Sequence, residues 1–322
     1  MALSFCLMSD CPLPEKVADF QKCSCRGMRY CAVCLGTERV RKRRGDVRTE
    51  ENAFSEHFAS IFNVTDGKAH KSAESNSVLL TSPVALSTEA AFVRSVAFAF
   101  PHFCEDGRCF ALPGLRLVPD FVTESEEQFL LSRIDGAQWT PSQSGRLKQD
   151  YGPRVNFKYQ RVNSAKFFGL PDYVDHLLLR MGQMRGEGVA RLFDGFRPVE
   201  LCNLDYSSER LSSIDLHKDD EWIWGERLVS VSLNSDCVFT LEHPGRKLLV
   251  FVPVPRRSLL CLSGEVRSDW NHGIFPCHIF GRRVVITLRE LASPFLDDPK
   301  LFEQYGKDIV QKASLRIKTE AN

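Results

Sequence analysis

The pattern of apolar and polar positions changes character along the chain. Leu115 and Leu117 alternate as a first strand with its exit at Phe121. Thr123-Glu-Ser-Glu126 then reads as a helix capping box, and Phe129, Leu130 and Ile134 follow at helical spacing. A second helix is predicted from about Pro171, a favourable first-turn residue, with Tyr173, Val174, Leu177, Leu178 and Met181 along one stripe. After Phe196 the apolar runs become short and alternating: Pro198–Leu204, Leu228–Leu233, Cys237–Leu241, Leu248–Val252, Ser258–Leu262 and Arg283–Arg289. Many short strands after a helical preface predict a mainly β (α+β) fold, a sandwich or jelly roll with flanking helices. The tail predicts one amphipathic helix, with Leu301, Tyr305, Ile309 and Val310 on one face.

These patterns divide the chain into four parts. Residues 1–45 form a small Cys-rich module that ends in the basic run Arg39-Val-Arg-Lys-Arg-Arg44. Residues 46–105 read as a partly disordered connector, Ser/Ala/Glu-rich at 72–90, and 106–298 as the main domain. Residues 299–322 are the C-terminal helix or tail, and no internal repeat is visible.

Composition narrows the class only a little. With 322 residues, 43% of them hydrophobic, the chain is large enough for a normal core. The 42 basic and 41 acidic residues nearly cancel, so overall charge points to neither nucleic acid nor membrane. The apolar runs are strand-length and the N-terminus lacks a basic leader, so no membrane span and no signal peptide are expected. Of twelve cysteines, four crowd into Cys23–Cys34 and the rest are scattered, which fits a reduced, intracellular chain of cytoplasm and nucleus better than a disulfide framework.

The candidate chemistry starts at His217-Lys-Asp219. On an extended chain residues i and i+2 point to one side, so an imidazole and a carboxylate face one volume while Lys218 turns away. His272, in Arg267-Ser-Asp-Trp-Asn-His272, is the best third ligand. Two histidines and a carboxylate on one face of a metal are the ligand set of non-haem Fe(II) oxygenases, with positions left for a bidentate 2-oxo acid and O₂. Next comes Arg283-Val-Val-Ile-Thr-Leu-Arg289, where Arg283, Val285, Thr287 and Arg289 share a face. Two arginines on an inward face are costly unless they meet an anion such as a dicarboxylate. A solvated strand face is the competing reading.

Cys23-Ser-Cys25, then Cys31-Ala-Val-Cys34, are two close pairs with Gly27 between them. Four such thiolates can close a Zn²⁺ site or hold an Fe–S cluster, and free cysteines are the alternative. Zinc is the expectation, because nothing else points to electron transfer. His102, Cys104 and Cys109 are a weaker second grouping.

Taken together, the chain resembles the AlkB family of Fe(II)/2-oxoglutarate-dependent dioxygenases over about residues 112–292, and within it the homologue-four branch. The segments that carry the resemblance are Gly114-Leu-Arg-Leu-Val118, Ser142 to Pro153, Val155-Asn-Phe-Lys158, Cys202-Asn-Leu-Asp-Tyr206, His217-Lys-Asp-Asp220, Trp222 to Arg227 and Arg283 to Glu290. The resemblance implies a double-stranded β-helix with iron held by His217, Asp219 and His272. It implies that Arg283 grips the distal carboxylate of 2-oxoglutarate and that Arg289 lies near the iron. Asn203 and Tyr206 stand for the family's Asn-x-Tyr cosubstrate pair, with one additional residue between them. The cysteine-rich N-terminus also matches that branch. The implied reaction is oxidative demethylation of an N-methyl group, with release of formaldehyde.

A loop before the iron strands carries Arg146, Lys148, Tyr151, Arg154 and Lys158, where relatives have a substrate lid. Basic and aromatic residues together contact phosphates and stack bases, and an ordinary solvated hairpin is the alternative. Three functions stay open. The first is demethylation of methyl-lysine in a protein such as actin, regulating actomyosin, and near-neutral charge favours it. The second is demethylation of N6-methyladenine in DNA. The third is a non-enzymatic scaffold, which intact iron ligands and arginines weaken.

Overall fold

The computed structural model describes the backbone of 60–65, 68–71 and 109–110, and residues 112–320 apart from 113, 186–190, 244 and 246–247. The four N-terminal cysteines, the basic run, His102 and Cys104 lie outside the described residues.

Strands β1 (Ser60–Thr65), β2 (Lys68–Lys71) and β3 (Cys109–Phe110) precede β4 (Leu115–Val118) and helix α1 (Glu124–Asp135). Next come β5 (Thr140–Pro141), β6 (Leu147–Tyr151), β7 (Arg154–Asn156), β8 (Arg161–Asn163), β9 (Leu170–Pro171) and α2 (Val174–Gln183). The central strands follow as β10 (Pro198–Ser207), β11 (Ile214–His217), β12 (Trp224–Leu233), β13 (Cys237–His243), β14 (Leu248–Val254) and β15 (Leu259–Leu262). After α3 (Gly264–Ser268) come β16 (Asn271–Ile274) and β17 (Arg282–Leu291).

Strands β10 to β17 are shared between two sheets, switching from one to the other at every step except β13–β14, which pair as a hairpin within the first sheet. One sheet has the order β11-β16-β13-β14-β1-β2-β3 and the other β4-β15-β12-β17-β10-β6-β5. The chain thus crosses repeatedly from sheet to sheet, which is the jelly roll expected from the alternating runs. Val250 and Val252 are fully buried between the sheets, while Leu201, Val231, Leu233, Ile286 and Leu288 are fully buried on the opposite face of the second sheet. The first sheet also recruits β1, which pairs in parallel with β14. Strands β1 and β2 fall in the range assigned to the connector, so part of it belongs to the domain's sheet. Among the described residues no helix is long and apolar enough to cross a membrane.

The capping box forms as predicted: Glu126 N–H donates to the Thr123 hydroxyl, and Thr123 N–H to the Glu126 carboxylate. The buried stripe of α1 is Glu127, Leu130 and Ile134, and Phe129 is exposed. Glu127 takes the inward place because its carboxylate pairs with Arg256 and accepts Asn234 N–H. Helix α2 starts at Val174 and not at Pro171. Pro171 lies in β9, where Leu170 and Asp172 donate to the carbonyls of Leu315 and Ile317 across β18 (Arg316–Ile317) and proline need not donate. The tail is likewise not one helix. Short helices α4 (Pro294–Asp297) and α5 (Pro299–Leu301) lead through a π turn, Phe302–Gly306, into α6 (Lys307–Ala313), and the chain then returns as β18.

The helices cover the outer face of the second sheet. There Gln149 donates to the carbonyls of Ile134 and Ala137, and the Asn203 amide donates to Gln149 Oε1 (2.8 Å) and to the Tyr173 hydroxyl (2.7 Å). Strand alternation thus turns Asn203 away from the sandwich interior, which Leu204 and Tyr206 face. This corrects its expected cosubstrate role: the extra residue between Asn203 and Tyr206 puts them on opposite faces. Asn203→Leu is expected to cost about 1–3 kcal/mol in urea unfolding, the penalty for stranding buried polar partners. It should leave the KM for 2-oxoglutarate unchanged, and a large rise in that KM would return Asn203 to the site.

Candidate active site

Strands β11 and β16 pair antiparallel with His217 directly across from His272. Asp219 follows two residues on, and the three side chains offer ligand atoms within 4.8 Å of one another. A Cβ on Gly273 would come within 2.6 Å of the Ile214 carbonyl oxygen, so glycine is needed for β11 to approach this closely. The His217 Nδ1–H donates to the Asp215 carbonyl (2.7 Å), which leaves the Nε2 lone pair facing Asp219, 3.6 Å away. The His272 ring stacks on Phe239, with centroids 5.7 Å apart. Lys218 turns outward to the Ser268 carbonyl, as alternation requires. Buried Arg267 donates to the carbonyl oxygens of Asp219 (2.7 Å), Trp224 and Gly225, and so pins the loop that carries Asp219.

The electrostatics prepare a cation site. Burial pushes the Asp219 carboxyl up, but the Arg289 guanidinium and the two imidazoles outweigh it and hold the group well below the usual carboxylate range. Burial, with help from His217 and Arg289, pushes the His272 imidazole down to about 3. Both groups are therefore in the deprotonated, ligating form at neutral pH. Two imidazoles and a carboxylate on one side fit Fe(II) and leave coordination positions for further oxygen donors.

Beside this triad lies a cavity of about 80 Å³. Arg283, Val285, Thr287 and Arg289 all line it, so the shared face of β17 points inward. Arg289 spans the two sheets, with Nε on Asp219 Oδ2 (2.8 Å) and a terminal nitrogen on Glu200 Oε2 (2.6 Å). Arg283 differs. It is 3% exposed, donates to the Ser232 hydroxyl (2.7 Å), packs against the Tyr206 ring and has no carboxylate partner among the described residues. Its Nε is buried without a hydrogen-bond partner among the described residues. A buried guanidinium in that state calls for an anion, and a carboxylate such as that of 2-oxoglutarate fits it.

The expected lid residues separate into three places. Arg146 is buried, bonded to the Gln143 carbonyl and set 5.7 Å from the Tyr206 ring, so it belongs to the inner wall and not to a lid. Lys148 and Tyr151 sit on β6, and Lys148 pairs with Asp150. Arg154 and Lys158 belong to the β7–β8 hairpin, whose strands among the described residues pair only with each other and which exposes Phe157 and Tyr159. Lys148, Tyr151, Arg154, Phe157, Glu200 and Trp224 line a groove of about 770 Å³ between hairpin and sheet. Sequence reading missed Glu200, Ser232, Phe239 and Arg267. Only Ser232 left a signal, as a polar position in the alternating Leu228–Leu233 run; the others act through contacts between distant strands.

Comparison with known proteins follows from this geometry. No family model matches the chain. A Caenorhabditis elegans protein named DNA N6-methyl adenine demethylase is 38% identical over 297 residues, 92% of this chain and 96% of its own length. The mouse and human proteins named alpha-ketoglutarate-dependent dioxygenase alkB homolog 4 are 42% and 43% identical, over 65% and 59% of this chain and 77% and 71% of their own lengths.

Two outcomes test the site. Arg283→Met removes the unpaired charge, so the melting temperature of the cosubstrate-free protein should hold or rise, while the KM for 2-oxoglutarate rises at least about 30-fold, from ~2 kcal/mol of lost pairing. A drop in the cosubstrate-free melting temperature with unchanged KM would contradict that reading. In metal-free protein the folded pKa of His272 lies below its unfolded value, so the unfolded state takes up more protons between the two. Stability should then fall as pH drops from about 6.5 towards 3. Melting curves of chelator-treated protein should show this slope, and His272→Gln should flatten it.

Proposed function

The chain belongs to the AlkB family of 2-oxoglutarate-dependent dioxygenases, and on that premise we propose that it is an oxidative demethylase of N6-methyladenine in DNA, working in the nucleus. His217, Asp219 and His272 would hold Fe(II), and Arg283, backed by Ser232 and Tyr206, would hold the distal carboxylate of 2-oxoglutarate. When bound, the iron and cosubstrate supply the O₂ chemistry that turns N–CH₃ into N–CH₂OH and 2-oxoglutarate into succinate and CO₂. The hydroxymethyl amine then releases formaldehyde and leaves N–H. The protein's own part is placement. Arg289 keeps the Asp219 carboxylate ionised and oriented, His217 is fixed by Asp215, and the apolar walls from Leu204, Val285 and Leu260 exclude water.

The observation that carries the substrate class is the β7–β8 hairpin. It carries exposed Phe157 and Tyr159 among Arg154, Lys158 and Arg161, and its Arg154 and Phe157 line the groove. Aromatic faces stack bases and the cations meet phosphates, and the relative named as a DNA demethylase supports the same reading. Methyl-lysine in a protein, ranked first from the sequence with actin as the expected partner, is the second reading. It is favoured by the Asp150 and Glu200 carboxylates and the Tyr151 and Trp224 rings on the groove wall, which suit an ammonium group.

The deciding experiment offers the purified protein, with Fe(II), 2-oxoglutarate and O₂, a single-stranded N6-methyladenine oligonucleotide and a monomethyl-lysine actin peptide. Formaldehyde from the oligonucleotide is expected, and its loss in His217→Ala and Asp219→Ala. The double variant Arg154→Ala, Lys158→Ala should weaken oligonucleotide binding and make log K less dependent on log salt by about 0.7 per lost phosphate contact. Formaldehyde from the peptide alone would reverse the order of the two readings.

A further inference from the structure

Glu200 stands where the groove meets the iron site, and its two carboxylate oxygens have different surroundings. Strand β10 places Glu200 directly across from Arg289 on β17, just after a register shift between Pro198 and Glu200. Such bulges re-aim side chains beside active sites. Oε2 accepts from Arg289 at 2.6 Å. Oε1 has no hydrogen-bond partner among the described residues, and the side chain, 16% exposed, lines the groove beside Trp224. Its place is tightly held from behind: a Cβ on Gly152 would come within 2.7 Å of the Glu200 Cγ.

One guanidinium sets the distance from this oxygen to the chemistry. Arg289 contacts Asp219 through Nε and Glu200 through a terminal nitrogen, so the Glu200 carboxylate lies one guanidinium's width from the Asp219 carboxylate. A substrate whose methyl group faces His217, Asp219 and His272 has its nitrogen one bond further back, towards the groove. A carboxylate oxygen only accepts hydrogen bonds. Facing N–H it gains a charge-assisted bond; facing a second methyl it is desolvated with nothing in return.

We propose that Glu200 selects the methylation state of the substrate, its Oε1 accepting the N–H that N6-methyladenine carries and N6,N6-dimethyladenine lacks. This rests on the DNA reading of the groove and adds to it a residue that sets specificity. A site built to bond an N–H discriminates strongly against an analogue without one.

The test compares kcat/KM for two oligonucleotides of one sequence, one with N6-methyladenine and one with N6,N6-dimethyladenine. Wild type is expected to favour the monomethyl base at least about tenfold. In Glu200→Gln the volume is kept, Arg289 claims the amide oxygen, and the NH₂ turns into the groove, donor against donor. The preference should fall to within about threefold of unity. Glu200→Ala, with neither donor nor acceptor, should lose the preference too. The KM for 2-oxoglutarate and the melting temperature report whether each variant keeps its site. If Glu200 merely steadies Arg289, both substrates slow by one factor and the ratio stays at the wild-type value, which overturns the proposal. Equal turnover of both bases by wild type also overturns it, with the DNA reading left standing. Failure of wild type on both oligonucleotides removes the DNA reading and this proposal with it.

Discussion

The Arg289 guanidinium joins the two halves of the sandwich at the one place where the chemistry needs them held together. It projects from β17 of one sheet to Asp219, which follows β11 of the other, and to Glu200 on β10. Taking an arginine and two carboxylates out of water is expensive, and their mutual attraction repays the cost only when geometry and hydrogen bonding are good. Here both contacts lie below 3 Å, and Asp219 remains ionised despite its burial. Remove the arginine, and a buried carboxylate tends to take up a proton and cease to be a metal ligand. The metal centre thus depends on a pair of charges made by the folding of the sheets.

The same strand contributes a second arginine with the opposite state. Arg283 is as inward-facing as Arg289, yet its charge has no carboxylate partner among the described residues and its Nε lacks any acceptor. One end of the cavity is therefore neutralised from within, and the other end waits for an anion. On the proposed reading, that asymmetry would orient a dicarboxylate with one carboxylate on Arg283 and the other end towards the histidines. Tyr206 reinforces it by lying against both Arg283 and Arg146, so an aromatic face borders the unpaired charge.

The groove has another kind of chemistry, because it is built at the edge of the sheet. Strand β6 and the separate β7–β8 hairpin form its walls, and their side chains carry both signs of charge together with aromatic rings. Among the described residues the hairpin shares no ladder with the main sheets, whereas His217 and His272 are held on paired strands and Asp219 by Arg267. On the proposed reading, the sheets hold the metal ligands while substrate choice falls to a few exposed side chains and to Glu200 at the boundary.

Much of this was legible from residue order. Period-two alternation marked the central strands, put His217 and Asp219 on one side and placed Arg283, Val285, Thr287 and Arg289 on one face, because side-chain direction in a strand is a local property. The same local rule put Asn203 and Tyr206 on opposite faces, though motif resemblance had grouped them. The capping box was readable for the same reason, being a contact three residues apart. The tertiary structure decided what depends on distant partners. It set His272 opposite His217, drew Pro171 into a strand with the tail, buried Glu127 against Arg256 and separated Arg146 from the hairpin. It also gave Arg289 two carboxylates and, among the described residues, Arg283 none. Alternation fixes which way a side chain points, but the charge it meets there comes from whichever strand the fold lays alongside.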